Sequence, residues 1–163
     1  MIVALTGVSG SGKTAVGRAL AERLGSPFVD ADDYHPETNV QKMSSGHPLN
    51  DDDRRPWLEA LAQTIDELCA KNIRVILACS ALKHDYQKIL QTADDCVRFV
   101  LLHGSFELIQ SRMQKRRGHF MPSSLLQSQF ETLEIPADAL QVDVTPSIPE
   151  IVDEIIERLQ LKT

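Results

Sequence analysis

Short apolar runs alternate with segments of helical period along the whole chain. Ile2–Thr6, Pro27–Asp30, Arg74–Cys79, Val97–Leu102 and Leu140–Val144 read as strands. Between the first two, Ala15, Val16, Ala19, Leu20 and Leu24 recur at helical spacing over Lys13–Leu24, with Gly25 as a stop signal. Trp57, Leu58, Leu61, Ile65 and Leu68 form the stripe of a helix opened by Asp51–Asp53, whose carboxylates suit a positive dipole end. Helical patterns also cover Lys83–Gln91 and Ser105–Arg116. Ser147-Ile148-Pro149-Glu150 has the form of a capping box opening a last helix, with Ile151, Val152, Ile155, Ile156 and Leu159 on one face. Strand–helix alternation predicts an α/β architecture of three layers, a parallel sheet between helices, because each parallel crossover needs a covering element. Ligands in such folds bind beyond the carboxyl ends of the strands.

Composition narrows the picture little and excludes a good deal. The 163 residues fit one domain spanning 1–163, and 42% hydrophobic with 25% charged residues is globular composition. A net charge of −6 argues against a dedicated nucleic-acid binder while leaving room for a local basic pocket. The opening MIVALTG has no charged leader region, and no apolar run approaches a membrane span of about 18 residues. Cys69, Cys79 and Cys96 are odd in number and lack C-x-x-C spacing, so neither a disulfide framework nor a zinc site is expected. These features together place the chain in a reducing cytoplasm, without membrane or nucleic-acid partners.

The strongest chemical signal is Gly7-Val8-Ser9-Gly10-Ser11-Gly12-Lys13-Thr14, which matches G-x-x-x-x-G-K-[ST] between a strand and a helix. Glycines let backbone N–H groups converge on phosphate oxygens, and the helix start adds partial positive charge. Gly7, Ser9, Gly10, Ser11, Gly12, Lys13 and Thr14 are therefore the expected triphosphate cradle of a P-loop NTPase fold. Lys13 reaches the β/γ-phosphates and the Thr14 hydroxyl holds Mg²⁺. No N-K-x-D guanine motif is present, which argues against a GTPase switch. Asp30, Asp32 and Asp33 follow the second strand. Beside a γ-phosphate, such carboxylates suit phosphoryl transfer to a hydroxyl, with Asp30 holding the metal through water and Asp32 accepting the proton. The bland alternative is a solvated acidic turn or a helix cap.

With DADDYHPETNVQKMSSGHPLNDDDRRPWL at 30–58, CSALKHDY at 79–86, RMQKRRGHF at 112–120 and QFETLEIP at 129–136, the phosphate loop makes the chain resemble the gluconate kinase (gluconokinase) family. The resemblance runs almost end to end and is weakest in the last helix. It implies a fold similar to shikimate and adenylate kinases, with a five-stranded parallel sheet, an acceptor segment about 32–58 and a mobile lid about 115–135. It further implies transfer of the ATP γ-phosphoryl group, with Mg²⁺, to the 6-hydroxyl of D-gluconate, and a homodimer. The alternatives are another hydroxyl acceptor, such as shikimate, or a non-catalytic nucleotide-binding regulator.

A polyhydroxylated carboxylate needs a cation and several donors, and arginine suits a carboxylate because its fork is bidentate. Arg54 and Arg55, His35, Lys42, Ser80 and Lys83 are the candidates, set against the alternative of ion pairs on a solvated helix face. By analogy with related kinases, Arg112 stacks on adenine and Arg116 or Arg117 closes over the phosphates. The sequence does not separate Asp32 from Asp33 as the base, nor Arg116 from Arg117 as the lid contact. His47, His84 and His103 have no ligand spacing, and Trp57 reads as core.

Overall fold

The computed structural model describes residues 1–91, 95–116 and 123–162. Five parallel strands form one sheet: β1 Ile2–Thr6, β2 Phe28–Asp30, β3 Val75–Ala78, β4 Val97–His103 and β5 Leu140–Asp143, in the order β2-β3-β1-β4-β5. Among the described residues the helices are α1 Lys13–Leu24, α2 Glu37–Ser44, α3 Asp51–Ala70, α4 His84–Leu90, α5 Phe106–Gln114, α6 Ser123–Thr132 and α7 Ile148–Arg158, with a 3-10 turn at Ala31–Tyr34. The expected α/β class and all five strands are present, with bounds within one or two residues of those the sequence pattern gives.

Alternation along the central strand separates two cores. Ile2 and Ala4 face α3 and α4, where Trp57, Leu58, Leu61, Ile65 and Leu90 are buried. Val3 and Leu5 face α1 and α7, against Val16, Leu20, Ile151 and Ile155. Because both faces are covered, every residue of β1 is buried, which is why the strand reads as an unbroken apolar run. A third, smaller core forms under the phosphate loop, where Val8 packs with Ile109 of α5 and Leu126 of α6.

Two local features differ from the expectations, and a cap not foreseen joins them. Helices α2 and α6 carry no clear apolar stripe in sequence, and tertiary packing supplies what periodicity lacks. Helix α3 begins at Asp51 with Asp51–Asp53 in its first turn, as expected, and Asn50 caps it: Asn50 Oδ1 accepts the Asp53 N–H at 2.8 Å, and Asp53 Oδ2 accepts the Asn50 N–H at 3.0 Å. Cys69 and Cys96 form a disulfide, with Cα atoms 6.1 Å apart, leaving Cys79 as a buried free thiol. The end of α3 lies beside the entry to β4, a proximity that residue spacing cannot reveal. With Cys69 and Cys96 paired, the cysteines give no ground for a reducing compartment. Among the described residues, no helix is long and apolar enough to cross a membrane.

At the expected capping box, the Ser147 N–H donates to Glu150 Oε2 at 2.9 Å, and the Ser147 hydroxyl donates to the same oxygen at 2.6 Å.

Candidate active site

Sheet order brings the chemistry together. β3 lies between β2 and β1, so the segments leaving their carboxyl ends sit side by side: the acidic turn after β2, Ser80 after β3 and the phosphate loop after β1. The loop needs its glycines. Gly7 has φ +143°, and a Cβ there would meet the Leu102 carbonyl oxygen at 2.6 Å. Gly10 has φ +77°, and a Cβ there would run into the Met113 side chain. Lys13 folds back over the loop and donates to the carbonyls of Gly7 at 2.9 Å and Val8 at 3.0 Å. Ser11 Oγ is buried among the described residues without a hydrogen-bond partner.

Desolvation lowers the Lys13 pKa to about 8 against the attraction of Asp32. Asp32 is shifted the other way. Its carboxylate reaches solvent, yet partial desolvation at the strand ends, then the neighbouring Asp30 charge, push its pKa up. Asp30 Oδ1 accepts the Asp32 backbone N–H at 3.0 Å, which fixes the turn. Thr14 is exposed at the start of α1. The hard oxygens of Thr14 and Asp30 fit Mg²⁺, which keeps much of its water and binds phosphates. Among the described residues, no group of three His, Cys, Asp or Glu side chains could hold a metal. Burial pushes the Cys79 thiol up to about 12, so it stays protonated beside these groups.

The acceptor candidates divide. His35 stacks on Trp57 with ring centroids 4.2 Å apart, and Trp57 is itself buried with Nε1 donating to the Ala31 carbonyl at 2.6 Å. Desolvation lowers the His35 pKa. The buried Asn39 donates through Nδ2 to the Asp53 carbonyl at 2.8 Å and contacts His35 Nδ1 at 3.3 Å. Nδ1 is then the acceptor and Nε2 carries the ring proton. Lys42 is engaged by Asp53 Oδ2 at 2.5 Å, joining α2 to the start of α3. Arg55 is exposed, whereas Arg54 Nη1 donates to the Tyr86 hydroxyl at 3.1 Å and lies 4.0 Å from Asp51 Oδ1. Lys83 Nζ donates to the same Asp51 oxygen at 3.2 Å, and the Tyr86 hydroxyl donates to it as well. These hydrogen bonds hold the Asp51 carboxyl below its ordinary range. The Lys83 ammonium and the Tyr86 hydroxyl thus both donate to one Asp51 oxygen, and the Arg54 guanidinium sits beside them, bonded to Tyr86.

Beyond the other side of the phosphate loop lies a cleft of about 280 Å³. Arg112 and Arg116 line it, together with Gly10, Ala15, Pro146 and Ile148. The Arg116 charge also reaches Lys13. Arg117, Gly118 and His119 lie outside the described residues. Sequence reasoning passes over Tyr86, Asp51, Asn39 and the β5–α7 turn. The available signals are the tyrosine three residues after Lys83 on α4 and the Thr145-Pro146 break beyond the last strand.

The chain matches the shikimate kinase family over residues 9–160. It is 47% identical to a probable gluconokinase of Xenopus tropicalis over 95% of this chain and 91% of that protein. It is 46% identical to the thermosensitive gluconokinase of Escherichia coli (strain K12), over 92% and 82% respectively. The crystal structure of a gluconokinase from Sinorhizobium meliloti 1021 superposes with a TM-score of 0.86 at 47% identity, covering 97% of this chain and 90% of that one.

Proposed function

The chain belongs to the gluconokinase family of small P-loop kinases, and from that premise we propose that it transfers the γ-phosphoryl group of ATP to the 6-hydroxyl of D-gluconate. The observation that carries the acceptor class is the gathering of Arg54, Lys83 and Tyr86 around one Asp51 carboxylate oxygen, a cationic cluster suited to a carboxylate. Sheet order sets the two side by side: the 80–84 loop leaves β3 next to β1, which leads into the phosphate loop, and the Thr6 hydroxyl donates to the Ala81 carbonyl.

In this reading, Gly7, Ser9, Gly10, Ser11, Gly12, Lys13 and Thr14 grip the triphosphate, and Arg112 flanks the base in the cleft. Asp32 accepts the C6 hydroxyl proton as its oxygen bonds to the γ-phosphorus, and the bond from that phosphorus to the β,γ-bridging oxygen breaks, releasing ADP. The raised pKa of Asp32 brings it nearer the working pH of a base. Lys13 and Arg116 face the charge that spreads over the phosphoryl oxygens, and Arg117 is the neighbouring lid candidate. Thr14 and Asp30 would hold Mg²⁺, which when bound neutralises phosphate charge. Arg54 and Lys83 take the sugar-acid carboxylate, and His35 and Ser80 serve its hydroxyls. Lys42 secures the segment through Asp53. Use of ATP supports a cytoplasmic setting, and the family resemblance supports a homodimer.

The test is ADP release measured over gluconate, shikimate, glucose and nucleoside monophosphates. Gluconate turnover well above the others is expected. The match to the shikimate kinase family keeps shikimate, also a hydroxylated carboxylate, as the second reading; turnover of shikimate alone would establish it.

A further inference from the structure

One helix bridges the two halves of the site. Helix α6 packs Leu126 and Phe130 into the small core beneath the phosphate loop. From its last turns, Gln129 Oε1 accepts the Ser9 backbone N–H at 2.7 Å, inside the loop itself. Five residues on, the chain is tied to the loop between β3 and α4. The Glu134 N–H donates to the Leu82 carbonyl at 2.7 Å, and Glu134 Oε1 accepts the His84 N–H at 3.1 Å.

The buried side chain of Gln87 secures this second foot. Its Nε2 donates to the Glu134 carbonyl at 2.8 Å and to the Ala81 carbonyl at 3.0 Å, while its Oε1 contacts His84 Nδ1 at 3.0 Å. The Ala81 carbonyl also accepts from the Thr6 hydroxyl at 3.4 Å, and Thr6 directly precedes Gly7. Hydrogen bonds and backbone together close a ring: Ser9 to Gln129, along the chain to Glu134, on to Gln87, Ala81 and Thr6, and back through the phosphate loop to Ser9.

We infer that Gln129 and Gln87 are positioning residues for phosphoryl transfer, fixing the phosphate loop relative to the 80–84 loop that presents Ser80 and Lys83. The inference rests on the kinase reading above. Neither side chain needs to touch a substrate. The donor phosphoryl is held by one loop and the acceptor's cation by the other, so their separation sets the in-line approach. A misplacement of about 1 Å is enough to cost up to about a hundredfold in rate. A neutral amide oxygen suits the Ser9 position, because a carboxylate there would repel the triphosphate.

The experiment uses Gln129→Met, Gln87→Met and the double variant, which keep side-chain length and remove the polar contacts. It is run with whichever acceptor the wild-type enzyme phosphorylates. Absence of gluconate turnover by the wild type counts against the functional reading, whereas the comparison among variants tests the ring. Thermal melts check folding. For Gln129→Met, a fall in kcat of about tenfold, KM for ATP within about threefold, and ADP release in excess of phosphorylated product are expected, since water replaces a misaligned acceptor. The double variant is expected to match the worse single one, because breaking a ring twice adds little. Wild-type kcat with equal ADP and product overturns the inference. So does a rise in KM for ATP with product and ADP still equal, or a double variant whose loss is the product of the two single losses. If Gln87→Met does not fold, the ADP-to-product ratio of Gln129→Met decides alone.

Discussion

Lys13 and Asp32 lie within electrostatic reach of each other at the carboxyl edge of the sheet, and each is drawn toward its neutral form. Desolvation pulls the lysine down to about 8 and the aspartate up, against their mutual attraction. A triphosphate reverses the balance at Lys13, since nearby anions favour the ammonium form.

Nucleotide binding is therefore linked to protons. Below pH 8 the free lysine is already charged; above it, binding must take up a proton. The Kd for ATP is expected to rise by up to about tenfold per unit above pH 8. Calorimetry in buffers of different ionisation enthalpy should register the uptake. A flat affinity from pH 7 to 9.5 would contradict the assignment. Lys13→Ala should keep the fold while lowering kcat at least about a hundredfold.

Asp32→Asn separates stability from activity. A raised carboxyl pKa means that the folded chain binds this proton more tightly than the unfolded one. Stability is thus lost as pH rises from the unfolded pKa through the folded value, and the charged form is a liability at neutral pH. The variant should melt no lower than wild type, roughly a degree or two higher. Its kcat should fall by about 10² to 10⁴, with ATP binding nearly unchanged. A clear drop in melting temperature would mean that Asp32 is structural.

Tyr86→Phe keeps the ring under Arg54 and Lys83, whose charges lie 5.7 and 5.4 Å from its centroid, and removes only the hydroxyl. KM for gluconate should rise by about tenfold, the scale of one hydrogen bond to a charged group, while KM for ATP stays within about twofold. Arg54→Lys, which loses the fork, should do the same. Equal changes in both KM values would remove the cluster from acceptor recognition.

The disulfide closes a stretch of chain 27 residues in separation. On chain entropy alone it contributes roughly 3.5 kcal/mol. Replacing both Cys69 and Cys96 by serine should lower the melting temperature under oxidising conditions and leave it close to that of the wild type in reductant. Thiol titration of the unfolded, unreduced wild-type protein should find one group, Cys79. Three would show that the bridge does not form.

The sequence alone determined the sheet, the first and last helices and the phosphate loop. Each is encoded by neighbours: a two-sided strand reads as an unbroken apolar run, an amphipathic helix repeats over successive turns, and the loop's glycines are contiguous. The acidic turn and the candidates for binding acceptor and nucleotide were legible as residue types in the right segments. Their pairing was not. That Arg54 rather than Arg55 meets Tyr86, that Lys42 belongs to Asp53, that Cys69 reaches Cys96 and that Gln129 reaches Ser9 are outcomes of packing between elements far apart in the chain. Such contacts depend on helix rotation and on strand order, which no local period records. Only the tertiary structure, by setting β3 between β2 and β1 and docking α6 on the loop, decided them.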